Sequence, residues 1–143
     1  MHKIGFKNFR RFLDFKPIEF KSLTFLVGRN NSGKSTLVKA LLLSIDYLKA
    51  DTLPTLSFNQ NNVEDVNIVT FERALNKLAN LKKEEFIEFH LEIDGLRFHL
   101  TVTGKKDSTS VDVINLSIED LNSGFSFLIK PQQSYITIST NTE

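Results

Sequence analysis

Apolar and polar positions alternate over residues 2–9, which predicts a short strand with Ile4, Phe6 and Phe9 on or near one face. A basic turn at Arg10 and Arg11 follows, and Ile18 to Phe20 reads as a second short strand. Leu23 to Val27 is a nearly continuous apolar run, the pattern of a strand buried on both faces, and it stops at Gly28. From Lys34 to Lys49 the residues Leu37, Val38, Ala40, Leu41, Leu42, Leu43, Ile45 and Leu48 surround most of a helical circumference, so a buried helix is expected. Residues 51–69, with Pro54 and the polar cluster Asn59, Gln60, Asn61 and Asn62, read as a loop or excursion. Phe71, Ala74, Leu75 and Leu78 then have the spacing of one amphipathic helix.

The second half reads as an antiparallel meander. Residues 86–93 and 96–103 alternate, and Asp94-Gly95 between them suits the positive φ angles of a type I′ turn. That turn sets the register: Ile93 faces Leu96, Leu91 faces Phe98 and Phe89 faces Leu100 on one side, with Glu92 against Arg97 and His90 against His99 on the other. Strand-like runs at 111–118, 125–129 and 135–139 continue the pattern, with Asn122-Ser123-Gly124 as a turn.

Between the apolar run and the buried helix lies Gly28-Arg29-Asn30-Asn31-Ser32-Gly33-Lys34-Ser35, which satisfies G-x-x-x-x-G-K-[ST] in full. At average residue usage this pattern arises by chance in about one chain in a few hundred of this length. The context of strand before and helix after lowers that further. The chemistry explains the residue types. Two glycines let successive backbone N–H groups curl inward toward phosphate oxygens, and the start of the helix adds unpaired N–H groups and the positive end of its dipole. Lys34 is placed to reach the β- and γ-phosphates of ATP, Ser35 to ligate Mg²⁺, and Thr36 to approach the α-phosphate.

Charge sharpens this reading. Residues 1–50 carry ten Lys or Arg against three acids, and residues 51–143 carry eight against fourteen, although the net charge is only +1. Either the first third faces a polyanion or the two halves neutralise each other. The chain has 143 residues, 41% of them hydrophobic, enough for one core. Thirteen Phe and no Trp suit burial or a contact surface. With no Cys there is neither a disulfide framework nor a thiolate metal site, so a reducing cytoplasmic setting is expected. No apolar run has the length of a signal peptide or a membrane-spanning helix.

A strand, then Asn8-Phe9-Arg10, then a short strand, then a buried strand entering Gly28-x-Asn30-Asn31-Ser32-Gly33-Lys34-Ser35-Thr36-Leu37 resembles the N-terminus of SMC, RecF and OLD-type ABC ATPases, with the paired Asn closest to the OLD-like, AAA-annotated branch. The resemblance is specific over residues 1–49 and architectural beyond. It implies an α/β fold, the N-terminal half of a P-loop NTPase head: a P-loop region (1–50), a loop and helix (51–85) and an antiparallel β lobe (86–143). It also implies that Arg10 lies near the nucleotide, that the full protein is a homodimeric ATPase, and that its work involves DNA in repair, chromosome handling or phage defence. Arg11 departs from the small polar residue often found there. Hydrolysis needs an acidic residue ending an apolar strand, and no run of four apolar residues followed by Asp-Glu is present, nor is Leu-Ser-Gly-Gly. In the resembled enzymes both motifs come from a C-terminal half, which leaves this chain without catalytic residues of its own and in need of that missing half as a partner.

Two other functions compete with an ATP-driven machine: a non-catalytic nucleotide-binding or interaction module, and a small P-loop kinase, which would need an Arg-rich lid where the sequence has only Arg97. Gln132 and Gln133 fall where a metal-contacting glutamine would sit, but Pro131 argues for a simple turn. His90 and His99, with Glu88 or Glu92 nearby, form either a transition-metal site or a solvated sheet face.

Overall fold

The N-terminal alternation forms the first strand, β1 (His2–Phe9), which turns at Arg10 into β2 (Phe12–Phe20), longer than the Ile18 to Phe20 expected. The computed structural model describes residues 2–59, 68 and 70–140. After a long connection come helix α1 (Lys34–Lys49), a short strand β3 (Thr55–Ser57) and two helical turns, α2 (Phe71–Ala74) and α3 (Lys77–Leu81). The rest is a meander of β4 (Ile87–Ile93), β5 (Leu96–Thr103), β6 (Ser110–Asp120), β7 (Phe125–Lys130) and β8 (Tyr135–Thr140). The strands form one sheet in the order β2-β1-β4-β5-β6-β7-β8, with β3 also paired to β6, and each of these pairings is antiparallel.

The β4–β5 register is the one the turn dictates, from Ile93 against Leu96 through His90 against His99 to Phe89 against Leu100. Asp94 and Gly95 take φ values of 51° and 84°, and a Cβ on Gly95 would stand 2.4 Å from Asn122 Nδ2. Glycine meets both demands without strain or displacement of Asn122.

One face of the sheet carries the core. Ile4 and Phe6 of β1 lie beside Leu91 and Phe89 of β4, and Leu100 and Leu116 continue the same face. The positive φ of Asn8, 58°, interrupts the alternation, so Phe9 also turns inward and is fully buried. Phe6 stacks on Phe15 at 4.6 Å between ring centroids and meets Phe9 and Phe12 edge-on, and Phe9 meets Phe89 at 5.2 Å. Helix α1 lies over this face, with Ala40, Leu43, Ser44 and Tyr47 buried. Burial raises the Tyr47 hydroxyl to about 12, and that hydroxyl donates to the Leu53 carbonyl at 2.7 Å. The opposite face is polar, with Glu92 held by Lys3 and Arg97, and Arg97 also reaching Glu119.

Three expectations change. The run Leu23 to Val27 forms no strand, and Leu23, Phe25 and Val27 are 74, 79 and 93% exposed. A run apolar on both faces is stable as a strand only between neighbouring strands and layers, and no described residue supplies them; Thr24 and Leu26 line a small cleft beside α1 with Leu37 and Leu41. The single amphipathic helix over Phe71 to Leu78 is instead two turns broken at Leu75 and Asn76, both in extended conformation. Finally, the architecture is mostly an antiparallel sheet with one long helix, so the α/β expectation is met only loosely. Within the predicted excursion, β3 pairs with β6, and residues 60–67 and 69 lie outside the described part. Gln132 is spent on the turn after β7, donating to the Pro54 carbonyl at 3.0 Å.

Because Phe9 is 0% and Ile138 63% exposed, Phe9→Ala is expected to cost about 3–5 kcal/mol in urea unfolding and Ile138→Ala under about 0.5 kcal/mol. Similar losses at the two positions would contradict the placement of the core.

Candidate functional site

The loop from Gly28 to Gly33 closes on itself. The Ser32 N–H donates to the Arg29 carbonyl at 3.1 Å, Asn31 takes a φ of 68° and Gly33 one of 101°. A Cβ on Gly33 would come within 2.4 Å of the Phe12 ring, so the loop can lie on the β1–β2 turn only with glycine at this position. Helix α1 begins immediately afterwards, with the Leu37 N–H donating to the Gly33 carbonyl at 3.1 Å. No side chain caps this helix start and no acid lies in its first turn, leaving its leading N–H groups and positive dipole end for an anion.

Lys34 folds back over the loop. Its Nζ donates to the carbonyls of Gly28 at 2.7 Å and Arg29 at 2.9 Å and lies 3.5 Å from Ser32 Oγ. Gly28, Arg29, Asn30, Asn31 and Ser32 are exposed, Lys34 is half-buried, Ser35 is exposed in the first helical turn, and Thr36 is buried. The ammonium group thus sits among loop oxygens, at one end of a hinge-like side chain whose other end is fixed in α1.

Beside the loop is an open cleft of about 1010 Å³ lined by Arg10, Arg11, Asn31 and Thr36 on one side and by Arg73 and Lys77, among others, on the other. Four cations therefore face it, with Glu72 as the acid in the lining. The sequence motif and the Asn8-Phe9-Arg10 turn, 18 or more residues apart in the chain, meet at this cleft.

Arg10 is held by backbone and amide bonds. Its N–H donates to the Ala74 carbonyl, its carbonyl accepts from Asn76 Nδ2 at 2.9 Å, and the Asn76 N–H donates to the Asn8 carbonyl at 2.8 Å. Asn76 Oδ1 accepts from the N–H groups of Leu78 and Ala79, capping α3. The buried Asn8 donates to Glu84 at 3.3 Å. This network explains the broken helix: Asn76 leaves helical geometry to clamp the β1–β2 turn, and Leu75 forms a bridge with Phe9. Sequence periodicity missed Arg73, Asn76 and Lys77 as cleft residues. An Asn two residues before Leu78 was the available sign, since Asn favours helix starts.

Among the described residues no helix is long and apolar enough to cross a membrane. No curated protein and no solved structure matches the chain. The sequence model of one family, described as the AAA ATPase domain, matches residues 1–142.

Replacing Asn76 with Ala removes the α3 cap and leaves the Arg10 carbonyl without its amide, so a loss of about 1–2 kcal/mol is expected in thermal or urea unfolding. Asn76→Asp, which keeps the cap but not the Nδ2 donor, should recover part of it; no loss in either variant would remove the clamp.

Proposed function

From the premise that the chain belongs to the AAA ATPase domain family, with an ATP-binding, ATPase-type function, we propose that residues Gly28 to Thr36 hold the triphosphate of ATP and that Arg10 lies beside it. The observation that carries this reading is the position of Lys34: its ammonium is gathered over a loop that opens at the uncapped start of α1, where an anion completes the unpaired N–H groups. On binding, Lys34 exchanges the Gly28 and Arg29 carbonyls for phosphate oxygens, stronger partners because both members of the bond are charged. Arg29, Asn30, Asn31 and Gly33 contribute backbone N–H groups, with that of Ser32 released from the Arg29 carbonyl to join them, and the ribose and base extend into the cleft between Arg10 and Lys77.

The residues also suit Mg²⁺. Ser35 carries its hydroxyl exposed in the first turn of α1, next to the proposed phosphate position, and a hydroxyl oxygen suits this hard cation. Bound there, the ion would offset negative charge on the phosphates. Arg10, Arg11, Arg73 and Lys77 add positive charge from the cleft.

Within the family we place the chain nearest the SMC, RecF and OLD-like ATPases. Support comes from the Asn8-Phe9-Arg10 turn lying on the cleft beside Asn31 and Thr36, and from the exposed apolar run ahead of the loop, which suits a neighbouring strand from the other half of an ATPase head. That half would bring the carboxylate for water activation, the head would work as a homodimer, and its task would lie in DNA repair, chromosome handling or phage defence. A non-catalytic nucleotide-binding role for these residues is the second reading, supported by the missing Asp-Glu strand end.

ATP binding and steady-state hydrolysis with Mg²⁺ test the proposal. Binding is expected to weaken at least about tenfold in Lys34→Ala, from loss of charge-assisted bonds worth roughly 1.5–3 kcal/mol each. Ser35→Ala should lose the Mg²⁺ enhancement of binding. Lys34→Ala binding ATP as tightly as the unaltered chain would overturn the assignment, and turnover by these residues alone would reject the non-catalytic reading.

A further inference from the structure

On the polar face of the sheet, away from the phosphate loop, three potential ligands converge. His90 of β4 and His99 of β5 are direct cross-strand partners, and their rings lie nearly parallel at 20° with centroids 4.1 Å apart. Glu88, two residues before His90 and therefore on the same face, aims one oxygen at both: Oε2 is 3.4 Å from His90 Nε2 and 3.5 Å from His99 Nε2. Ligand atoms held about 2.0–2.1 Å from a tetrahedral zinc ion stand about 3.3–3.4 Å apart, so the carboxylate-to-imidazole distances already match edges of such a tetrahedron. All three donor atoms lie within 4.8 Å of one another, and binding one ion requires the stacked rings to tilt out of parallel so that both in-plane lone pairs converge on it.

Three further observations bear on this cluster. His99 Nε2 is shut off from water and makes no close hydrogen bond, its carboxylate neighbour Glu88 standing off at 3.5 Å, so a ligand that binds the nitrogen directly would relieve a buried polar group. Glu88 is not consumed by the cation opposite it on β1, because Lys7 places its ammonium over the Phe86 ring at 5.1 Å. On the other side of His90 the partner on β1 is Gly5, and Pro17 of β2 fills the space a side chain would take there, so the neighbour on that side is apolar and offers no competing charge.

We propose that Glu88, His90 and His99 bind a divalent transition-metal ion of the zinc class that pins β4 to β5, with the fourth position left to water or an external ligand. Two imidazoles and one carboxylate suit zinc, cobalt or nickel and disfavour Mg²⁺, which separates this site chemically from the one proposed at Ser35. The ligands sit on strands joined by the two-residue turn at Asp94-Gly95, so their spacing is set before any ion arrives. The ion acts as a cross-strand staple in the middle of the sheet.

The test is titration of the chelator-treated full chain, without nucleotide, with ZnCl₂ by calorimetry and with CoCl₂ by visible absorption. One zinc per chain with Kd at or below about 10 μM, an intense tetrahedral cobalt band and a higher melting temperature with zinc are expected. His99→Gln and Glu88→Gln should each weaken binding at least about tenfold. His2→Gln, at the histidine paired with Asp94 elsewhere on the sheet, should leave it unchanged. Circular dichroism checks that the variants fold; if one does not, zinc-induced shifts of the His90 and His99 ring protons in the unaltered chain decide. No saturable zinc binding below about 100 μM, an unchanged melting temperature, or binding that survives in the His90→Gln/His99→Gln double variant would overturn the proposal.

Discussion

The antiparallel pairing of β1 with β4 is the contact on which the rest of this structure depends. It fuses the N-terminal hairpin to the meander, so one sheet and one core serve both. Ile4 and Phe6 meet Leu91 and Phe89 across it, and α1 packs over the combined face. Were the hairpin a separate unit, α1 would have too little apolar surface beneath it to bury Ala40, Leu43 and Tyr47. The loop ahead of α1 is therefore positioned by strands more than fifty residues further along the chain.

That arrangement sets an exposed loop between two anchored supports. The loop itself is exposed and held mainly by its own turn and by Lys34, whereas both of its neighbours are anchored: α1 by the core, and the β1–β2 turn by Asn76 and Ala74. A loop between fixed supports would lose little order on taking up the anion proposed for it, which would favour affinity. The four cations around the cleft come from two regions of the chain, so the positive field exists only once α2 and α3 dock against the hairpin.

The other notable surface is apolar. Leu23, Phe25 and Val27 are exposed directly before the loop, and Ile136 and Ile138 at the far edge of the sheet are more than 60% exposed. Local pattern marked the first segment as a doubly buried strand, and burial is a demand that the described residues leave unmet. Its exposure is consistent with an ATPase head completed by further chain, the reading proposed for this family member.

Much was legible in the sequence. The Asp94-Gly95 turn and the alternation around it specified the register of β4 and β5 to the residue, because a two-residue turn admits one pairing and a period of two admits one face. Helix α1 was legible from Lys34 to Lys49 because its apolar residues are dense and Gly33 marks its start. The phosphate-loop pattern was readable because each residue type in it answers a local chemical need. What only the tertiary structure decided were features that depend on distant partners: the break at Asn76, whose amide serves Arg10 rather than a continuing helix; the joining of Arg73 and Lys77 to the cleft; and the unpaired state of Leu23 to Val27. Local sequence encodes periodicity and turn chemistry, whereas hydrogen bonds between residues 66 positions apart and the presence or absence of a neighbouring strand are set only when the whole chain packs.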